Sequence, residues 1–257
     1  MSEPHQVRHV AESFGIDAER YDRSRPRYPA ELIDRIATVS PGPEVVEVGC
    51  GTGIASRQLQ AAGLKVLGVE PDARMASFAR DRGLDVEVST FEAWESACRT
   101  FDAVVAAQCW HWVAPVAGAV KAAQVLRPGG LMAVFWNVDR PQPELAEEFT
   151  AIYRRLIPDS FSARVTGSDP YSMLSDRAAE GIEASGEFHG QDEWRFTWER
   201  EYTKADWLDR LPTHGGWSTF SPEDTAAVLT AVGNAIDAAG GSFTMHFNTV
   251  AVTATKA

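Results

Sequence analysis

The sequence predicts an α/β fold, a doubly wound and mostly parallel sheet, on three observations. Short runs rich in Val, Leu and Phe recur along the first half of the chain, and segments of helical spacing separate them. The first run then breaks into alternating glycines, EVVEVGCGTGIAS at 44–56, where a parallel sheet presents a ligand-binding turn. In chain order, 44–48 (EVVEV), 65–70 (KVLGVE), 84–88 (LDVEV), 101–106 (FDAVVA) and 130–136 (GLMAVFW) read as strands. Segments 53–62, 72–82 and 114–126 read as helices between them. Such alternation implies right-handed crossovers and helices on both faces of the sheet. Ligands bind such sheets beyond the carboxyl ends of the strands, so the residues that follow each strand are the candidates.

The rest of the chain changes rhythm. We divide it into a leader (1–43), a cofactor-binding core (44–138), a helical insertion (139–190) that would roof the acceptor, and a C-terminal part (191–257). The insertion carries prolines, Ser/Asp stretches and a helical piece near 144–157. In the tail, EWRFTWEREY (193–202) and SFTMHFNTVAVTATKA (242–257) alternate polar and apolar residues, the period of antiparallel strands. Trp194 and Trp198 are assigned to one face of the first and Phe196 to the other. Segments 203–211 and 221–239 read as helices, the second stopped by Gly240 and Gly241.

Composition excludes several classes of function. The chain has 257 residues, enough for one large domain, with 44% hydrophobic and 23% charged residues. No apolar run of the roughly 18 residues a membrane helix needs occurs, and the start, Met-Ser-Glu-Pro-His-Gln, is not that of a secretory signal. The expectation is a cytoplasmic protein with no membrane partner. Its three cysteines, Cys50, Cys98 and Cys109, form no CxxC pair and no zinc-type cluster, so reduced thiols and no metal are expected. With 24 Lys and Arg against 36 Asp and Glu, the net charge is −12. That field repels a phosphate backbone and disfavours nucleic acid, leaving a small molecule or a protein as the preferred partner. Oligomeric state is not legible.

The glycine loop narrows the choice. A dinucleotide loop needs Gly-x-Gly-x-x-Gly/Ala, and Ile54 occupies its last position. The spacing here is acidic-x-Gly-x-Gly-x-Gly, from Glu47 through Gly49, Gly51 and Gly53. The second strand ends in Glu70, suited to accept from both hydroxyls of a ribose; NAD proteins share that feature, so it does not choose between cofactors. The successive stretches VVEVGCGTG, VLGVEPDARM, FDAVVAAQCWHW and LRPGGLMAVFW resemble, in order, the motifs of class I S-adenosylmethionine-dependent methyltransferases. SFGIDAERYDRSRPRYPAEL resembles the leader of a small-molecule branch of that family, the methyltransferase-11-like branch, whose Tyr-x-x-x-Arg-Pro-x-Tyr-Pro segment closes over the cofactor. The resemblance covers roughly residues 10–137.

It implies a seven-stranded sheet with the last strand antiparallel, and S-adenosylmethionine as cofactor with S-adenosylhomocysteine as product. By the same resemblance, Glu47 reaches the methionine ammonium while Gly49, Cys50, Gly51 and Gly53 line the cofactor. Glu70 and Pro71 take the ribose, Met75 packs on the adenine, and Thr90 with Phe91 meets the adenine edge. Gln108 contacts the methionine moiety, and Tyr21, Arg25 and Tyr28 cover the cofactor, with Arg25 pairing with its carboxylate.

Methyl transfer from a sulfonium is an in-line displacement with a good leaving group, so holding the acceptor supplies most of the rate. A base is needed only if the acceptor must lose a proton. The candidate is His111, between Trp110 and Trp112 just past the fourth strand. His214, in LPTHGGW, is a second residue for the acceptor cavity. Trp110, Trp112 and Trp136, with a subset of Phe149, Tyr153, Phe161, Tyr171, Trp194, Trp198, Trp207, Trp217 and Phe220, would line an apolar pocket, so the expected acceptor is small and apolar or aromatic. The rival readings are an NAD(P)-dependent oxidoreductase, disfavoured by Ile54 and by the lack of a Tyr-x-x-x-Lys pair, and a non-catalytic binder of the same fold.

Overall fold

A computed structural model describes residues 14–160, 163 and 172–257. The strands are β1 (Glu44–Val48), β2 (Lys65–Glu70), β3 (Asp85–Val88), β4 (Phe101–Ala107), β5 (Leu126–Pro141), β6 (Phe188–Thr203) and β7 (Ser242–Lys256). They form one seven-stranded sheet in the order β3-β2-β1-β4-β5-β7-β6. The first five run parallel, and β7 lies antiparallel to both β5 and β6. The doubly wound architecture expected from the sequence is the one observed.

Helices α1 (Ala18–Ser24) and α2 (Ala30–Val39) form the leader; α3 (Ile54–Ala61), α4 (Ala73–Arg80) and α5 (Pro115–Val125) are the crossovers. Beyond β5 come α6 (Pro143–Leu156), α7 (Ser172–Ser185), α8 (Lys204–Arg210) and α9 (Pro222–Ala238). On one face, Leu32, Ile33, Leu59, Ala76 and Ala79 of α2, α3 and α4 pack on Val45, Ala103, Val105 and Phe135 of the sheet. On the other, α5 and α7 bury Ala119, Ala122, Ala178 and Ile182 against Val46, Val104, Val134 and Trp136. Burying both faces is what the unbroken apolar strands require.

A third core lies beyond the ends of β5, β6 and β7. There α6, α8 and α9 bury Phe149, Ile152, Trp207, Val228 and Val232 around Tyr202, Phe243 and Met245. The two helices after β5 therefore part company: α6 builds this third core, whereas α7 covers the sheet beside α5. Phe161 and Tyr171 of the insertion, and the part of the leader before residue 14, lie outside the described residues. Phe196 packs in the same cluster as Trp194, contrary to its assignment to the opposite face, because strand positions two apart point the same way.

Two strands outrun their sequence signals. β5 continues from Trp136 to Pro141 because β7 pairs along it as far as Met245, so polar Asn137, Asp139 and Arg140 are carried on a strand. β6 starts at Phe188 in place of 193, its polar first residues exposed at the sheet edge. The caps follow expectation: Thr203 and Asp206 form a capping box on α8, and Ser221 caps α9.

Candidate active site

The site is built where β1, β2, β4 and β5 end. After Val48 the chain turns through Gly49 and Gly51, both left-handed (φ 60° and 56°), which an L side chain rarely adopts. A Cβ on Gly49 would strike the Cys109 sulfur at 2.7 Å, whereas Gly51 faces open space and leaves its backbone approachable. Gly53 then starts α3. Glu70 braces the turn: Oε2 accepts from the Gly51 N–H at 2.8 Å and Oε1 from the Asp72 N–H at 2.9 Å. Burial raises the Glu70 pKa to about 7 in spite of those two bonds.

Glu47 is buried one turn beneath. Its Oε2 accepts from the Ser56 hydroxyl in a very short bond, and burial, partly opposed by Ser56, lifts its pKa to about 8. Two carboxyls thus stand beside the glycine turn, neither with an ion-pair partner among the described residues.

The leader crosses over this turn. Gly15 lies on the carboxylate of Asp72, the N-cap of α4, so closely that a Cβ there would fall 2.1 Å from Oδ2. Asp22 of α1 pairs with Arg57 of α3 at 2.5 Å, and Arg57 also donates to the Thr52 carbonyl at 2.7 Å. Tyr28 meets Phe135 edge-on at 4.8 Å; its N–H donates to Gln58 Oε1 and its carbonyl accepts from Gln58 Nε2. Arg25 lies 4.9 Å from the centre of the Tyr21 ring and donates to the Thr213 carbonyl, joining the leader to the turn after α8.

Met75 is buried on α4. The other assignments divide between backbone and side chain. The Cys50 thiol packs into the α2–α4 core, so only its backbone lines the turn. Phe91 likewise turns its ring into the core, against Trp94 and Trp110. Thr90 and Pro71 stand at the loop surfaces beside it, Pro71 exposed.

Past β4, Gln108 has a left-handed φ of 61°, uncommon outside glycine. Its side-chain amide is occupied: Oε1 accepts from the Asn137 N–H at 2.8 Å and Nε2 donates to the Asn137 carbonyl at 3.3 Å. Asn137, which the sequence reading did not single out, also donates to the Arg27 carbonyl and accepts from Thr249. It therefore pins the leader to β5 and β7.

His111 follows in a single 3-10 turn, Trp110–Trp112. The Trp136 indole N–H lies 3.3 Å from its Nδ1. An indole nitrogen only donates, so Nδ1 is the acceptor and the neutral ring carries its proton on Nε2. Burial lowers the His111 pKa to about 4. Trp110 and Trp136 belong to the sheet core, while Trp112 is half-buried with its ring 4.8 Å from His111.

His214 stands in a separate polar cluster. Arg210 of α8 is buried, pairs with Asp139 of β5 at 2.5 Å and donates to the Tyr202 hydroxyl at 3.1 Å. Burial acts to raise the Asp139 carboxyl, but Arg210, His214 and Arg25 together hold it below its usual value. His214 Nδ1 lies 3.1 Å from the Leu211 carbonyl, which only accepts, so the proton is on Nδ1. Burial, with the charges of Arg25 and Arg210, lowers this ring's pKa to about 3. Among the described residues, no group of three His, Cys, Asp or Glu could hold a metal, and no helix is long and apolar enough to cross a membrane.

The comparisons with known proteins agree with this geometry. The model of a methyltransferase domain family matches residues 21–237. The chain belongs to the class I methyltransferases. An uncharacterized methyltransferase of Mycobacterium tuberculosis is 33% identical over 176 residues, 67% of this chain and 71% of that protein. A demethylmenaquinone methyltransferase of Tropheryma whipplei is 27% identical over 193 residues, covering 68% and 80%. Among solved structures, a putative type II methyltransferase from Anaeromyxobacter dehalogenans superposes with a TM-score of 0.62 at 20% identity, covering 89% of this chain and 97% of that one. The fold, with its antiparallel last strand, is therefore the family's fold.

Proposed function

We propose that this methyltransferase binds S-adenosylmethionine over the glycine turn and transfers its methyl group to a small-molecule acceptor. The observation that carries the reading is the pair of buried carboxyls, Glu47 and Glu70, raised by burial and without an ion-pair partner among the described residues, beside a backbone open at Gly51. They fit this cofactor and not a pyrophosphate: Glu47 would take the methionine ammonium and Glu70 the ribose hydroxyls. Met75, buried on α4, would pack on the adenine, with Thr90 and the Phe91 backbone at its edge. Gly49, Gly51, Gly53 and the Cys50 backbone would line the cofactor, with Tyr21, Arg25 and Tyr28 above it. Gln108, its amide committed to Asn137, holds the ends of β4 and β5 in register. When bound, the cofactor supplies a methyl group activated on a sulfonium.

The chain's own contribution is orientation and exclusion of water. Holding reacting groups in line supplies roughly 7 to 11 kcal/mol of a barrier. His111 acts through its Nε2–H as a donor that orients the acceptor, because Nδ1 already accepts from Trp136. Trp112 would flank that acceptor, and the third core under α6, α8 and α9 would form its roof. The test is calorimetric titration of wild type and Glu70→Ala with S-adenosylmethionine, S-adenosylhomocysteine and NADH. Binding of the two sulfur compounds to wild type, lost in the variant, is the expected result; binding of NADH alone would overturn the reading.

A further inference from the structure

We infer that the cavity on the far ends of β5, β7 and β6 binds a phenolic acceptor, and that His246, held by Glu199, is the base that takes its proton. This rests on the methyl-transfer reading above. β4 ends at Ala107, paired with Phe135, whereas β5 runs on to Pro141 with β7 and β6 beside it. Those last residues raise a three-stranded wall past the end of β4. One face of the wall carries two rows paired in register: Val138, Asn248 and Thr197, then Arg140, His246 and Glu199. With Trp198 and Phe247, which stack at 4.0 Å, they line a cavity of about 570 Å³. That is the size of a small-molecule site.

The cavity starts close to the residues already assigned to the reaction. Trp136, whose indole reaches His111, precedes Val138 by two residues on the same strand face, a step of roughly 7 Å. Gln108, bonded through its amide to Asn137, ties the end of β4 to this same stretch of β5. Within the cavity, Asn248 Oδ1 is buried without a hydrogen-bond partner among the described residues. Such an acceptor calls for an O–H or N–H from a ligand.

His246 Nδ1 lies 2.8 Å from Glu199 Oε1. An ionised carboxylate only accepts, so the neutral ring carries its proton on Nδ1 and keeps the Nε2 lone pair for a substrate. That is the arrangement of a base oriented by a carboxylate. The two histidines considered above lack it: His111 has Nδ1 occupied by the Trp136 N–H, and the charges of Arg25 and Arg210 oppose a proton on His214. Glu199 and His246 are 63% and 51% exposed, so neither is needed for packing and water can carry the proton away. The match in acid strength selects the acceptor: a phenol, at about 10, lies within reach of an imidazole, whereas an aliphatic alcohol does not. The phenolic O–H gives its proton to His246 Nε2 while its oxygen forms the new O–CH3 bond. The S–CH3 bond breaks with its electron pair left on sulfur, and the imidazolium then loses the proton to water.

The probes are 4-nitrophenol and 4-nitrocatechol, whose anions are coloured, with 4-nitroanisole as the analogue that has no proton to give. Protein saturated with S-adenosylhomocysteine is titrated with each at a pH where the free phenol is mostly neutral. The expected result is that at least one phenol binds, that it takes on the colour of its anion when bound, and that the anisole binds about tenfold or more weakly. His246→Gln loses the colour, and with S-adenosylmethionine in place of the product it lowers methyl transfer to that phenol about 100-fold or more. Glu199→Gln lowers the rate by a smaller factor, added imidazole restores part of the rate of His246→Ala, and affinity for S-adenosylhomocysteine stays unchanged in all three. No phenol binding at roughly 10 mM, an anisole bound as well as the phenols, or colour and rate that survive His246→Gln would overturn the proposal. If S-adenosylhomocysteine itself fails to bind wild type, the cofactor reading falls and this proposal with it.

Discussion

The carboxyls at the ends of the strands fall into two kinds. Among the described residues, Glu47 and Glu70, on β1 and β2, hold a hydroxyl and backbone N–H groups, and burial lifts them to about 8 and about 7. Asp139, on β5, is half-buried, and the Arg210 guanidinium bonded to it more than offsets its desolvation and holds it below its usual value. The difference teaches what each half of the cleft already holds. The glycine-turn end keeps its carboxyls on neutral donors, which under the proposed function suits a cation and hydroxyl donors; the β5 end already holds its carboxylate with a guanidinium.

The largest effect expected from breaking this contrast is at the β5 end. Asp139→Asn removes the carboxylate charge bonded to the buried Arg210, which costs up to about 3 to 5 kcal/mol of folding stability. Urea unfolding would show it as a lower midpoint with an unchanged slope. A midpoint within error of wild type would mean that water reaches Arg210 and that the pair contributes little. Under the proposed function, Glu70→Ala removes two charge-assisted bonds to the ribose, each about 1.5 to 3 kcal/mol, so S-adenosylhomocysteine binds at least about 100-fold more weakly.

The pH dependence of the ligand-free protein sharpens the contrast, because the two kinds of carboxyl act with opposite sign. Groups whose pKa is raised on folding bind more protons when folded, so Glu47 and Glu70 make stability fall as pH rises from about 5 to about 8. Asp139, held low, stabilises above the unfolded carboxyl value of about 4, and that contribution is lost as acid protonates it. Denaturant melts across this range should decline toward pH 8, and Glu47→Gln should flatten the decline. The smallest effect is spectroscopic: nitrogen-15 NMR of the imidazoles should show His111 with its proton on Nε2 and His214 with its proton on Nδ1, both neutral at pH 6. A protonated His111 at that pH would reopen its role as a base.

The sequence revealed the cofactor half far better than the acceptor half, for a physical reason. Glycines at fixed spacing, an acid ending β2 and unbroken apolar strands are local signals that follow from backbone geometry alone. The seven strands and the glycine turn were legible for that reason. Ser56 beneath Glu47, Asn137 pinning Gln108 and the leader, and Arg210 on Asp139 gain their meaning only from pairings across 9, 29 and 71 positions of the chain. The aromatics misled in a related way. Composition assigned Trp110 and Trp136 to an apolar acceptor pocket, whereas both pack in the sheet core and Trp207 packs in the third core. No periodicity within one segment distinguishes an aromatic facing a cavity from one facing a neighbouring helix.

The most direct test of the contrast is the proton balance of cofactor binding. Glu47 and Glu70 are largely or partly protonated at pH 7 in the free protein, and an ammonium beside one and hydroxyl donors on the other favour their charged forms. Calorimetric titration with S-adenosylhomocysteine at pH 7, repeated in buffers of different ionisation enthalpy, should show release of between about half and one proton per molecule bound. Glu47→Gln should remove most of it. Binding with no net release, or release that survives the substitution, would contradict the assignment of the buried carboxyls to the cofactor.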